Sequence, residues 1–555
     1  MWKKSFILHS LIYAVLSSFI PPILAQESNV IYTDHTDAAG INFMHLNGMS
    51  DQKYLPETMG SGCLFFDFDN DGFLDIYLVN SGTTCTNINR SRTELNEINK
   101  LYRNNRNGTF SDITHKVGMG SNDGFGMGCI SADYDNDGDQ DLYLTNFGRN
   151  QLYRNNGDST FTDVTKMAGV ANAQWSVSAS FGDYNLDGFI DLYVANYLDY
   201  NVETAHSCTL EGVHIYCGPH EYPGAPDTLY RNNGDGTFTD VTARSGVMNS
   251  GKGLGVLFTD YNNDGYPDIF VTNDAVEDYL YRNNRDGTFT NVAVEAGIAY
   301  NSEGRATASM GIAHGDYDND GVMDLFVTNF SLEVNSLFHN DGDGYYTMTT
   351  FEVGLAEPSF SRLGFGTQFL DVDNNGTLDL LVANGHVWDN VKQITPTLSY
   401  KQTCQLFLNN EKANYRDITN SAGTFFKRPV VARGTSCGDY DNDGDIDVLI
   451  SCSGGIPVLL RNDTITKNRW LKIQLTGTTG NKDAIGTKVY LTTNKTTYLR
   501  EVTSGGSYAS GNDYTLHFGL GATETVSSIN IHWLGGNVQH LENVSTEQIL
   551  RINEN

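Results

Sequence analysis

Oxygen-bearing side chains recur through this chain at a spacing suited to a hard cation. Asp67, Asp69, Asp71 and Asp75 stand at positions 1, 3, 5 and 9 of a nine-residue stretch. The same stretch returns as Asp133, Asp135, Asp137 and Asp141, as Asp183, Asn185, Asp187 and Asp191, and as Asp260, Asn262, Asp264 and Asp268. It returns again as Asp316, Asp318, Asp320 and Asp324, as Asp371, Asp373, Asn375 and Asp379, and as Asp439, Asp441, Asp443 and Asp447. Calcium takes six to eight oxygen ligands from carboxylates, carbonyls and water. Four side chains per loop, with the carbonyl of position 7, supply most of such a shell. Three copies replace one carboxylate by an amide, whose oxygen still coordinates. Position 6 is glycine in all seven copies, from Gly72 to Gly444, where a chain folding round an ion needs a sharp turn without a Cβ. An Asx-rich turn without metal explains one such loop; it does not explain the same four oxygen positions seven times. The first six positions match an EF-hand, but the Glu at its twelfth position is absent. The expected cofactor is therefore Ca2+, about seven ions per chain.

The charge balance agrees. Lys and Arg number 35 against 67 Asp and Glu, a formal charge of −32. The ligand positions of the loops account for 25 of those carboxylates, so much of the excess belongs to the expected metal sites. An acidic chain without a basic stripe excludes nucleic acid and anionic membrane as natural partners. Outside the loops, the groups that could serve catalysis are His45, Glu57, His206, His220, Glu221, Glu303, Arg305, His314 and His386. Three or more of these gathered at one mouth of a channel would favour an enzyme such as a polysaccharide lyase or hydrolase. Scatter would favour structural hydrogen bonding.

The elements that must hold the loops are strands. Apolar runs such as Ile76-Tyr77-Leu78-Val79 and Ile269-Phe270-Val271 follow each loop, β-branched and aromatic over four or five residues. A second phrase, Leu101-Tyr102-Arg103-Asn104-Asn105, leads into Asn107-Gly108-Thr109-Phe110 and recurs between loops. Its Asn-Gly or Asp-Gly step between apolar segments is a hairpin signal. Two strands around each loop and two around each hairpin, seven times over, predict an all-β, seven-bladed propeller spanning residues 26–465. The seventh repeat lacks its last strand, and a matching segment, Tyr32-Thr33-Asp34, stands near the start. The N-terminal strand is expected to complete the last blade and so remove open sheet edges. Residues 466–555 carry short strand-like segments and glycine turns but no loops, which predicts a small β-sandwich packed beside the propeller.

Residues 1–25 read as a signal peptide: Lys3 and Lys4, an apolar run from Phe6 to Ile20, and Leu24-Ala25 before Gln26. A secreted chain, extracellular or periplasmic, permits disulfides. Cys208 and Cys217 bracket a polar insertion and are the expected pair. Cys437 and Cys452 flank the seventh loop and could face each other across its hairpin. Cys63 and Cys129 read as small buried hydrophobes.

These motifs carry a resemblance. The loops, with approaches such as Gly124-Phe125-Gly126 and Gly364-Phe365-Gly366, resemble FG-GAP/VCBS repeats, which build the integrin α-subunit propeller. Asn481, Ala484-Ile485-Gly486, Arg500-Glu501-Val502, Ser504-Gly505-Gly506 and His517-Phe518-Gly519-Leu520-Gly521 resemble an ASPIC/UnbV domain, although Leu534 follows Trp533 where that family usually has proline. Together they resemble the cartilage acidic protein family and its bacterial relatives. The resemblance implies an extracellular calcium-binding propeller and no defined reaction. The expected role is binding or cell adhesion through a protein or glycan ligand, as a monomer not inserted in a membrane. A carbohydrate-active enzyme, or an accessory protein for a secreted enzyme, is the alternative.

Overall fold

The computed structural model describes residues 30–86, 98–120, 123–248, 250–410 and 412–555. The segment read as a signal peptide lies outside them. Among the described residues, seven four-stranded antiparallel sheets each carry one acidic loop between their first and second strands. The second sheet is representative: Phe125–Ala132, Asp141–Phe147, Gln151–Asn155 and Phe161–Asp163. Its first two strands are buried on both faces, while the fourth buries only Phe161. That gradient is why the inner strands read as unbroken apolar runs and the outer ones as Phe-Thr-Asp.

The first strands pack on one another in cyclic order: Cys63–Phe66, Phe125–Ala132, Ser176–Gly182, Gly253–Thr259, Ile312–Gly315, Gly364–Leu370, Ala432–Gly438 and back to Cys63–Phe66. The ring is closed as a β-propeller. Tyr32–Asp34 supplies the outer strand of the last sheet, with Tyr32 opposite Asn462 and Asp34 opposite Leu460.

Residues from Arg469 onward form a sandwich of two sheets, one of three strands and one of four. Val538–Ser545 and Ile549–Asn553 are its last two strands. Ile549–Asn553 pairs in parallel with Arg469–Thr476. The sandwich does not sit beside the ring, as expected, but across the loop-bearing face. Its Ser504–Asn512 segment runs into the central channel. Ser507 bridges Ile312, Gly505 bridges Leu257 and Gly511 bridges Leu64. Cys129 N donates to Ala509 O, Ala509 N to Ser178 Oγ, and Tyr508 Oη to Met59 O. The glycine-rich approaches make room for it: a Cβ on Gly62 would collide with Ala509 O, and one on Gly434 with Ser510 Oγ.

Cys208 and Cys217 are bonded. Cys437 and Cys452 are not, because they sit at opposite ends of their hairpin: Cys437 faces Val448 and Cys452 faces Ala432. Cys63 and Cys129 are buried thiols. Among the described residues, no helix is long and apolar enough to cross a membrane.

Candidate metal centres

Each loop closes on its first aspartate. The amide of position 5 donates to one carboxylate oxygen and that of Gly at position 6 to the other; in the first loop Asp71 N reaches Asp67 Oδ1 at 2.9 Å and Gly72 N reaches Oδ2 at 2.7 Å. The pattern holds in all seven. Position 4 takes a positive φ, from Asn70 to Asn442, and so does the following Gly at position 6. This folds the chain tightly enough to bring side chains of positions 1 and 3 together with that of position 5 or of position 9.

In several loops the acidic side chains gather into groups that could hold a cation. Asp67, Asp69 and Asp71 converge, as do Asp133, Asp135 and Asp141, then Asp316, Asp318 and Asp320, and Asp371, Asp373 and Asp379. Buried oxygens are left without a hydrogen-bond donor at position 3 (Asp69, Asp135, Asp373, Asp441) and at position 9 (Asp191, Asp268). Orphaned carboxylate oxygens inside a protein are costly unless an ion satisfies them. Burial, with neighbouring carboxylates adding to it, pushes Asp133 and Asp316 up to about 8 and Asp67 and Asp441 up to about 6. Desolvation of the charged form is the larger cause in each. Asp268 is raised to about 8 and Asp183 to about 6 by burial as well. A divalent ion reverses that balance.

Sequence reading missed what fixes position 9. Asn104, Asn155, Asn232, Asn283, Asn340, Asn409 and Asn462, the first asparagine after each Tyr-Arg or its equivalent, donate their backbone N–H to the position 9 aspartate of their own loop. Their side-chain amides cross to the preceding blade and donate to the carbonyl of position 2 there, at 2.7–3.0 Å. The ring closes through Asn104 to Tyr440 O and Asn462 to Val372 O. The position 2 side chain also packs on the outer strand of the next blade, as in Tyr134 on Phe238 and Tyr184 on Phe289. One asparagine thus ties loop geometry to blade packing. The signal was present in the sequence as an asparagine kept in every repeat, but not its partner.

The sandwich brings cations to the same loops. Lys472 Nζ lies 2.7 Å from Asp439 Oδ2 and 2.9 Å from Asn442 Oδ1. Lys488 Nζ bonds Asn263 Oδ1 at 2.7 Å and lies 3.5 Å from Asp260 Oδ2. Arg500, largely buried, lies within reach of the charges of Asp316 and Asp371. Asp483 Oδ2 accepts from Asp133 N at 2.6 Å.

The nine catalytic candidates do not gather at one place, although three of them meet on the disulfide insertion. His45 hydrogen-bonds Ser81 and Gly454 N, and His386 accepts from Trp388 N; both lie near the buried Arg433, and burial pushes both down to about 3. Glu57 accepts from Ser50 N, Ser50 Oγ and Tyr216 Oη. These three are at most 1% exposed, so no substrate reaches them. His206, His220 and Glu221 form an exposed ion-pair group on the disulfide insertion, and Glu303 pairs with Arg305. His314 lies under the sandwich, against Thr259 and Glu501.

Residues 67–144, 133–194, 215–271, 260–327 and 316–382 match the FG-GAP-like repeat family, and together these windows cover more than half of the chain. The chain belongs to the FG-GAP-like repeat family. Residues 477–555 match the ASPIC and UnbV family, and they coincide with most of the sandwich. The chain is 24% identical over 547 residues to Cartilage acidic protein 1 of Xenopus tropicalis, covering 93% of this chain and 75% of that protein. It is 24% identical over 504 residues to the Homo sapiens protein of the same name, covering 87% and 70%. Among solved structures, the BP39L lectin from Burkholderia pseudomallei aligns at 9% identity and TM-score 0.43, over 74% of this chain and 99% of that one. An Agrocybe aegerita lectin structure described as recognising terminal N-acetylglucosamine aligns at 17% identity and TM-score 0.37, over 66% and 82%.

Proposed function

We propose that this chain is a calcium-stabilised extracellular binding module for a protein or glycan, with one Ca2+ in each of its seven loops. Positions 1, 3, 5 and 9 would hold the ion with oxygen only, the donor set calcium takes. A signal peptide over residues 1–25, the Cys208–Cys217 bond and relatives named for cartilage support an extracellular setting. The domain division at residue 465 belongs to the same proposal.

The observation that carries the reading is how the two ends of the ring are used. The loop face is covered by the sandwich, and the channel is filled by Ser504–Asn512. Metal and channel therefore serve the architecture, and recognition falls to the opposite end, where the insertions gather. There a cleft of about 850 Å3 is lined by Phe147, Trp175, Tyr200, Asp199, Asn201 and Glu203. Trp175 is 2% exposed, and its Nε1–H is buried without an acceptor. Phe147 and Trp175 form the buried floor, and the half-buried Tyr200 with Asp199, Asn201 and Glu203 forms the part a ligand would meet. A sugar ring or a peptide side chain fits that chemistry. His45, Glu57 and His386 are sealed in hydrogen bonds, which favours binding over catalysis, and the enzyme alternative rests on the exposed group of His206, His220 and Glu221.

A glycan and protein array with the full chain tests this, run beside Tyr200→Ala and Glu203→Gln. Binding that both substitutions weaken, with melting temperature unchanged, supports the cleft. Ligands bound equally by all three proteins place recognition elsewhere, and turnover of an arrayed glycan restores the enzyme alternative.

A further inference from the structure

One side chain beside the fifth loop has no counterpart at the other six. In the hairpin strand beside each loop, the residue before the conserved asparagine is Arg103, Arg154, Arg231, Arg282 or Arg461, and in the sixth repeat Leu408. In the fifth it is His339. That position reaches the ligand carboxylates: Arg103 Nη2 lies 2.6 Å from Asp69 Oδ2. A guanidinium there can only pair with the carboxylates, since it has no lone pair to offer a metal. An imidazole can coordinate.

His339 is aimed to do so. Its Nδ1 lies 3.4 Å from Asp318 Oδ2 and 3.3 Å from Asp324 Oδ1. The ligand atoms of the three residues fall within 4.8 Å of one another. Nδ1 is buried and makes no well-aligned hydrogen bond; without an ion, its contact with Asp324 and the charges of Asp318 and Asp320 raise the imidazole to about 9, and a cation at the centre would take the place of that proton. Metal–ligand bonds of about 2.0–2.1 Å at tetrahedral angles put neighbouring ligand atoms roughly 3.3–3.4 Å apart. On the far side of the ring, Nε2 faces Asp341 Oδ1 at 3.8 Å and Asp320 Oδ2 at 3.9 Å. A metal-bound histidine commonly gives its other N–H to a carboxylate, which fixes the tautomer. The ring is held edge-on against Tyr317.

We propose that the fifth loop is a mixed nitrogen and oxygen site, formed by His339, Asp318 and Asp324, that selects a borderline divalent cation of the Zn2+ or Co2+ class over Ca2+. Imidazole suits zinc and the later first-row metals, whereas calcium takes oxygen. The inference rests on the reading of the loops as metal sites and revises it at the fifth alone, where His339 competes with the Asp316, Asp318 and Asp320 oxygen cluster, leaving calcium in the other six loops.

The test uses the full chain, stripped with chelator and dialysed against millimolar Ca2+ with micromolar Co2+. Bound Ca2+ and Co2+ are counted together by elemental analysis, and the Co2+ visible spectrum is recorded. The expected result is one tight Co2+ with a ligand-field band, while the remaining loops hold Ca2+. His339→Arg, which restores the side chain of the other repeats, and His339→Gln, which keeps an oxygen, should each weaken Co2+ by at least about 10–100-fold, the range found even for partners of a ligand. Both should leave the Ca2+ of the other loops in place. Co2+ retained equally by all three proteins, or no Co2+ retained against Ca2+, overturns the proposal. Loss of Ca2+ as well as Co2+ from the unsubstituted chain would instead overturn the metal reading of every loop.

Discussion

Asn232→Ala should be among the most damaging single substitutions outside the apolar core. Asn232 is 2% exposed. Its Nδ2 donates to Tyr134 O at 2.8 Å in the preceding blade and to Ile190 O at 3.1 Å in its own loop, and its Oδ1 accepts from Gly234 N at 3.0 Å. Truncation removes all three bonds and leaves two inaccessible carbonyls with no donor. A buried polar group left unpaired costs about 1–3 kcal/mol. Allowing for partial relaxation, the sum is on the order of 2–4 kcal/mol, set against about 5–15 kcal/mol for a whole domain. The control is the next residue. Asn233 is exposed, and its side chain bonds only Arg231, Thr237 and Thr239 within the same hairpin. Asn233→Ala should stay within about 0.5 kcal/mol of the parent. Guanidinium unfolding in saturating Ca2+, followed by tryptophan fluorescence, compares the three midpoints. Equal midpoints for the two variants would refute the account of the asparagine as the tie between blades.

Chelation gives a second expectation. One site at ten times its Kd adds about 1.4 kcal/mol, so seven independent sites add on the order of 10 kcal/mol. EGTA should lower the melting temperature by more than about 10 °C, and elemental analysis should find about seven ions before and none after; two or fewer before would contradict the count. The Asn185, Asn262 and Asn375 loops, with less negative charge, should empty first. The chelated protein should also respond to pH. Asp133, Asp268 and Asp316 titrate near 8 in the fold but near 3.9 when unfolded. Between those values the folded state holds more protons, so stability falls as pH rises from about 4 to about 8. Calcium requires the ionised ligands, so its stabilising effect grows over the same window. Melting curves at pH 5 and pH 8 with and without EGTA check this, and an apo melting temperature that rises toward pH 8 contradicts it. Tyr508→Ala removes a buried ring stacked edge-on against Phe365 and its bond to Met59 O. A cost of about 3–5 kcal/mol is expected; a cost under about 1 kcal/mol would mean the channel segment is dispensable to the ring.

Much of the fold was legible in the residues. The loop pattern, the hairpin phrase and the half-repeat at Tyr32–Asp34 predicted the sheets, their strand pairing and the closure of the last blade. They are local, because a calcium-type loop and an Asn-Gly turn are specified within about ten residues. The same local logic suggested Cys208–Cys217, only 9 residues apart. It failed for Cys437 and Cys452, since flanking a loop does not tell which residues a strand register sets opposite.

What the tertiary structure alone decided lies between distant segments. That Asn462 reaches Val372 O, that Lys472 reaches Asp439, and that Ser504–Asn512 fills the channel depend on contacts 33 to more than 400 residues apart. No periodicity encodes them. His339 drew no notice in the sequence, and only the fold sets Asp318 and Asp324 around it. His45, Glu57 and His386 read as catalytic candidates until burial showed them closed to substrate. Residue type and spacing determine which groups a short segment can offer. Whether those groups face an ion, a neighbouring blade or solvent is settled by packing, because burial and hydrogen-bond satisfaction are properties of the whole closed ring.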